Sequence, residues 1–257
     1  MTHREKFAVA RRAFFSLLLV MLAVTAGAGD VPDVISDEDG PLWVAADVAV
    51  TPEGQLRGSA LGRFGESVER DARVASARER ARSTPRRAED CETYFGVVPE
   101  HFEPTSSFDD LTSHAQSIFS GRVVAVREGF FGGLPGSLLR IEASYLKGSA
   151  PLETYLFYPF ARIATAGAPL CANPLGAFVP PQRGDRLLIF SMTKGRITNG
   201  RRVFQVRTDR ELVHEHRGGV LLPDALVPHA GDHRKFDVLL QAVTHRLSND
   251  AVPVVKQ

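Results

Sequence analysis

From residue 118 onward the chain is written in short apolar runs, each stopped by glycine or proline, and that punctuation selects a β-fold over a helical one. Residues 118–126 are rich in β-branched side chains. Residues 129–136 carry four glycines and a proline and are predicted to form a flexible loop. Residues 138–146 alternate in part and stop at Lys147-Gly148, and 154–160 make a third strand. The run 186–191 is continuously apolar after its arginine, as in a strand buried on both faces. Asn199-Gly200 marks a hairpin, because small residues accept positive φ at both central positions; its arms are 196–198 and 202–208. Five or six such strands predict a small barrel or sandwich. Two helices flank them. Ser107 with Asp110 forms a variant capping box for a short helix over 107–117, with Leu111, Ala115 and Ile118 on one side. Over 232–247, Phe236, Leu239, Leu240, Val243 and Leu247 make an apolar stripe at helical spacing, suited to closing the open side of a barrel.

The N-terminus carries an address. Arg4, Lys6, Arg11 and Arg12 form a basic head, 14–24 is an uncharged apolar run, and Ala26-Gly27-Ala28 supplies a small-x-small cleavage pattern. Residues 1–28 therefore read as an export signal peptide. The apolar run falls short of the roughly 20 residues that span a bilayer. With no cysteine immediately after Ala28, no stable membrane anchor is expected once the signal is removed. Arg11-Arg12-Ala13-Phe14-Phe15 is similar to the start of a twin-arginine signal, although the strongly apolar core fits the general secretory route better. The mature chain, starting at Gly29, is expected in the periplasm or secreted space.

Removing residues 1–28 leaves 27 basic and 29 acidic residues, so no global basic field recruits nucleic acid or anionic lipid. The remaining 229 residues suffice for one or two domains. Two cysteines, Cys91 and Cys171, are an even, low count that favours one disulfide in an oxidising compartment. Such a bridge closes a loop of about 80 residues, worth about 4 kcal/mol in the chain-entropy model. Neither cysteine belongs to a Cys-x-x-Cys pair, which argues against a thioredoxin-like redox site.

Ahead of the strand-rich region the pattern is looser. Residues 29–41 are acidic, with Asp30, Asp33, Asp37, Glu38 and Asp39, and are predicted to be flexible. Within 42–90, a strand over 42–50, a turn at Thr51-Pro52-Glu53-Gly54 and a second strand over 55–61 predict a hairpin. An Arg-rich helix and linker follow over 66–90, with basic and acidic residues interleaved as on a solvated, ion-paired helix. The strand, turn, strand and helix of 42–82 resemble part of a TonB-type energy-transducing C-terminal domain.

A broader resemblance covers 118–213. An opening strand, Ile118-Phe119-Ser120-Gly121-Arg122-Val123-Val124-Ala125-Val126, is followed by Ile141-Glu142-Ala143-Ser144-Tyr145-Leu146-Lys147-Gly148. Cys171 then precedes Gly184-Asp185-Arg186-Leu187-Leu188-Ile189-Phe190. This order resembles the netrin-like domain, the OB-fold barrel of the tissue inhibitors of metalloproteinases. The resemblance implies an OB-like barrel, and Cys91–Cys171 as a tether from the segment before the barrel to a later loop. It does not extend to the inhibitory wedge, which needs a cysteine at the mature N-terminus; Cys91 lies well inside the chain.

For chemistry the candidates are few. His214 and His216 share a face if they lie on a strand, and His229 and His233 share one at a helix start; imidazoles so paired could bind zinc or copper. No Gly-x-Ser-x-Gly elbow, Walker loop or dinucleotide-binding fingerprint is present in the sequence. Asp109-Asp110 sits at a helix start, where carboxylates stabilise the macrodipole. Phe157, Tyr158 and Phe160 could stack on bases, but the charge balance and the export signal argue against nucleic acid. Phe130 and Phe131, flanked by glycines, are predicted to form an exposed apolar contact with a partner.

The sequence thus predicts a mainly β chain. A five- to six-stranded OB-like, netrin-like barrel spans 91–230, followed by a C-terminal amphipathic helix over 231–248 and a tail over 249–257, and preceded by the hairpin-plus-helix segment. The expected function is an exported, non-enzymatic protein-binding or structural module of the cell envelope or secreted space, without a cofactor, whose partner is another envelope or secreted protein. The alternative is a metal-binding protein or metal-dependent enzyme using His214, His216, His229 and His233. N-terminal sequencing of the exported protein is expected to begin at Gly29; a chain still carrying its apolar run would overturn the signal.

Overall fold

One long hairpin organises the molecule. The computed structural model describes residues 30–70, 93–94, 107–148, 153–167, 169–172, 179–206, 211–217, 219–222 and 235–250. Val31–Gln257 makes up one unit, distinct from Met1–Asp30, and the description concerns the former. Taken in chain order, its strands include β1 (Val34–Asp37), β2 (Gly40–Ala45) and β3 (Thr93–Tyr94). The long pair is β4 (Ser117–Phe131) and β5 (Leu134–Lys147). After it come β6 (Glu153–Tyr158), β7 (Ala161–Ile163), β8 (Leu170–Ala172), β9 (Arg186–Ser191), β10 (Arg196–Thr198), β11 (Arg201–Gln205), β12 (Leu212–His216) and β13 (Gly219–Leu221). Its helices include α1 (Ala46–Ala49), α2 (Phe108–His114) and α3 (Phe236–Asp250).

The stretch 129–136 is not a flexible loop. The β4–β5 ladder runs through Gly129↔Gly136, Phe130↔Pro135 and Phe131↔Leu134. Only Gly132 and Gly133 turn, at φ +55° and +84°, the positive pair a two-residue hairpin turn needs. Gly129 and Gly136 provide clearance instead. A Cβ on Gly129 would come 2.3 Å from the Val44 carbonyl oxygen, and one on Gly136 would come 2.4 Å from the Phe157 ring. Sequence punctuation alone does not distinguish a glycine that bends from one that makes room.

The outer edge of β4 is shared. Residues 117–122 pair antiparallel with β9, and 129–131 pair antiparallel with β2. Its register against β5 shifts between Ile118 and Phe119 and between Val123 and Ala125, bulges that increase local twist. On the other side β5 pairs antiparallel with β6, and β6 pairs parallel with β11. β12 pairs with β9, and the small ladders β10–β11 and β12–β13 complete a ten-stranded mixed sheet. The β10–β11 turn is Asn199-Gly200, at φ 47° and 75°, as its composition predicts. A second sheet has the order β3-β8-β7. The fold is mainly β, with a large mixed sheet and a C-terminal helix; among the described residues the ladder of that sheet is open, ending at β10 and β13.

Strand alternation distributes the core. On β6, Leu156 and Tyr158 join an inner cluster with Phe119, Val123, Leu139, Ile141, Leu187, Ile189 and Phe204, while Tyr155 and Phe157 pack on the opposite face with Trp43, Ile35 and Leu138. On β9, Leu187 and Ile189 face the inner cluster, while Leu188 and Phe190 pack with Leu111, Val213, Phe236, Leu239 and Val243. Burial on both faces explains the apolar run at 186–191. α3 buries Phe236, Leu239 and Val243 and half-buries Leu240 and Leu247, so its stripe is the predicted one. α2 starts as expected, with Ser107 Oγ accepting from the Asp110 N–H at 3.0 Å.

The N-terminal segment differs most from its sequence reading. Residues 34–37 are not flexible: β1 pairs with β2, and Ile35 is 1% exposed. Asp37, Glu38 and Asp39 gather at the intervening turn, beside Gly40 at φ +120°, while Val31 and Ile35 face the core. The predicted strand 42–50 ends at Ala45, gives way to α1, and resumes only as the bridge Val50↔Leu56 around the expected turn at 51–54. A 3₁₀ helix, Gly58–Phe64, replaces the second strand, and helix begins at 65. The greater part of the predicted Arg-rich helix lies outside the described residues. Arg127 of β4 fastens the segment: its guanidinium reaches both Asp47 oxygens at 2.7 and 2.9 Å, Asp33 at 2.6 Å and the Val31 carbonyl at 3.0 Å.

Trp43 is the only tryptophan and is fully buried. Gly129→Ala would drive a methyl into the Val44 carbonyl and the Trp43 ring. It is expected to cost about 1–3 kcal/mol by urea denaturation and to shift the Trp43 emission. Unchanged stability would contradict the close approach.

Candidate functional site

The histidines chosen from sequence separate into two groups. His229 and His233 lie outside the described residues. His214 and His216 both lie on β12, as the two-residue spacing predicts, with ring centroids 5.2 Å apart. His214 is 2% exposed, and its Nε2 lies 2.7 Å from Asp185 Oδ2. Burial pushes the His214 pKa below the ordinary imidazole value, against the opposing pull of the Asp185 carboxylate, while neighbouring His216 adds to the lowering. Among the described residues no group of three or more His, Cys, Asp or Glu side chains gathers in metal-binding geometry.

Asp185 is held from several directions. It enters β9 from a turn in which Gln182 N–H donates to Asp185 Oδ2 at 2.8 Å and Asp185 N–H donates to the Gln182 carbonyl at 3.1 Å. Val123 N–H of β4 donates to the Asp185 carbonyl at 2.9 Å, and Gly184 N–H donates to the Val123 carbonyl at 2.8 Å. His214 thus connects β12 to the segment entering β9, a pairing that neither residue's local sequence signals.

The next residue faces a different neighbourhood. Arg186 pairs with Glu215 at 3.0 Å and with Asp237 at the start of α3, and its guanidinium carbon stands 4.3 Å from the Phe236 ring centroid. The Asp237 hydrogen bond raises the Arg186 pKa, and Arg186 in turn lowers that of Asp237. Arg186 is therefore a joint between the sheet and α3. At the other end of that helix Arg246 pairs with Asp109 of α2 at 2.8 Å, which gives the Asp109-Asp110 pair a structural use.

The exposure expected of Phe130 and Phe131 is not found. Phe130 is 1% exposed and packs with Val44, Leu61 and Ile163; Phe131 is half-buried and stacks on Phe157 at 4.8 Å between centroids. β2 adds to β4 at these positions and covers them, a long-range pairing that flanking glycines do not reveal. Phe157 and Tyr158 are likewise in the core rather than on a stacking platform.

Cys91 lies outside the described residues. Cys171 is buried in β8, where β3 runs parallel and sets Tyr94 opposite it. Near the other end of the large sheet, an open cleft separates the acidic turn at Asp37, Glu38 and Asp39 from the β10–β11 hairpin. It is bridged by Arg196–Asp37 at 2.7 Å and by Thr198 Oγ1 donating to the Ser36 carbonyl. Comparison with family models, curated proteins and solved structures gives no match to this chain.

Arg186→Ala would remove two ion pairs and a cation–π contact at once. It is expected to lower stability by about 1 kcal/mol and to speed amide exchange in α3 more than in β4. Equal effects on both elements would argue against a joint specific to the helix.

Proposed function

We propose that the chain is an exported, non-enzymatic protein-binding or structural module built on an OB-like barrel of netrin-like type. The carrying observation is the inner cluster, which draws side chains from β4, β5, β6, β9, β11 and β12 together. A three-strand antiparallel meander with a parallel partner on its last strand is compatible with that barrel. In this reading β11 lying against β6 and β12 lying against β9 bring the two ends of the sheet together.

The barrel interior is filled by Phe119, Phe204, Tyr158 and aliphatic side chains. A filled interior favours a surface-binding role over an enclosed catalytic pocket. Export is supported by the signal pattern of 1–28. The Cys91–Cys171 bridge belongs to the same reading: β3 carries the chain beside β8 two residues after Cys91, and no described cysteine is free. The metal alternative rests only on the proximity of His214 and His216.

Crosslinking of the exported protein in cells, followed by mass spectrometry, is expected to recover a specific envelope or secreted protein; recovery of no partner would overturn the binding role. Independently, the purified protein should have no thiol that reacts under denaturing, non-reducing conditions. Cys171→Ser should cost about 4 kcal/mol or less, with loop closure as the upper bound. Two reactive thiols would refute the bridge without touching the binding role.

A further inference from the structure

The ladder of the large sheet ends at β10, and the edge it ends on is open. Thr198 and Arg201 close the two-residue turn at Asn199-Gly200, so by strand alternation the N–H and C=O of Ile197 point away from β11. Among the described residues no strand takes that edge. The Ile197 side chain is 68% exposed, the most of any large apolar residue described. Across the cleft stands β1, whose Ser36 lies opposite Pro41 and turns its carbonyl toward β10, where it accepts from the Thr198 hydroxyl. The cleft between them has a volume of about 580 Å³, within the roughly 300–1,000 Å³ of ligand-binding clefts. Its lining sets the carboxyl groups of Asp37, Glu38 and Asp39 against the guanidinium of Arg196, which Asp37 engages at 2.7 Å.

We infer that this cleft takes an extended, basic segment of a partner protein, which adds to the free edge of β10. The inference rests on the protein-binding role proposed above and names the surface that performs it. Ile197 supplies one backbone donor and one acceptor on that edge, the pattern that strand addition uses. Side chains supply the selectivity. An apolar residue beside Ile197 covers surface that water otherwise meets, and a lysine or arginine answers the excess of carboxyl groups in the lining. A cationic side chain fits better than a bare metal ion, because among the described residues no three of these acids converge in metal-binding geometry. The edge also limits its occupant. β10 has three residues, so a second copy joined along it alone would bury far less than the roughly 1,000 Å² of a stable interface, whereas a short peptide segment matches its length.

A displayed library of random linear peptides, panned on the purified mature chain, supplies the probe. Enriched peptides are expected to carry lysine or arginine near an apolar residue. A synthetic copy of one should slow amide exchange at Ile197 by about tenfold or more, while Ile189 and Leu139 stay unchanged. Glu38→Lys combined with Asp39→Lys should weaken that peptide by about tenfold or more. Ile197→Pro removes an N–H that makes no bond to β11, and should weaken it likewise with the β10–β11 ladder intact. No enriched peptide, enrichment without a basic residue, protection elsewhere than at Ile197, binding that survives the charge reversal, or a dimer that occludes this edge in solution would each overturn the assignment. Should Ile197→Pro not fold, the charge-reversed variant decides. Failure of the wider binding role reads differently: crosslinking in cells then recovers no partner, whereas a recovered partner that leaves the Ile197 amide unprotected refutes this cleft alone.

Discussion

The shared outer edge of β4 is the constraint on which the rest of the molecule depends. One strand of 15 residues is met by β9 along its first part and by β2 along its last, while β5 covers its other edge. The register shift near Val123 lies between the two pairings, and there the Val123 N–H donates to the Asp185 carbonyl. Strand alternation then does the sorting: β6 gives alternate side chains to the inner cluster and to the Trp43 cluster, and β9 divides its own between the inner cluster and the helices.

Much of this was legible where the signal was local. The Ser107 cap, the Asn199-Gly200 turn, the apolar strand at 186–191 and the stripe of α3 depend on near neighbours, and each is found at its expected place. Where partners lie far apart in the chain, sequence reading failed. β1 looked like a loose acidic segment because its acids mark a turn, and Gly129 looked flexible because Trp43 is 86 positions away. For the same reason Phe130 looked exposed: nothing beside it announces β2. At the candidate site, the pairing of His214 with His216 could be read from spacing, whereas the Asp185 contact depends on the β9–β12 register.

The charged residues that stand out are joints between elements. Arg127 gathers the N-terminal segment, Arg186 docks α3, and Arg196 links the β10–β11 hairpin to β1. Exposed pairs of this kind contribute little energy singly. Each nonetheless joins elements distant in the chain: Arg127 bonds Asp33 and Asp47, Arg186 bonds Asp237, and Arg196 bonds Asp37. Apolar burial supplies the stability, and these pairs help to define which faces meet.

The Arg127 joint also has a consequence for the order of events as the chain is made. The strap it secures, with Trp43, is synthesised early, yet the strand that receives it arrives more than 80 residues later. Until β4 follows, Trp43 and Ile35 have no core to enter, and closing so long a loop is slow relative to local structure. The contact that completes the fold is one that the emerging N-terminal half cannot make by itself.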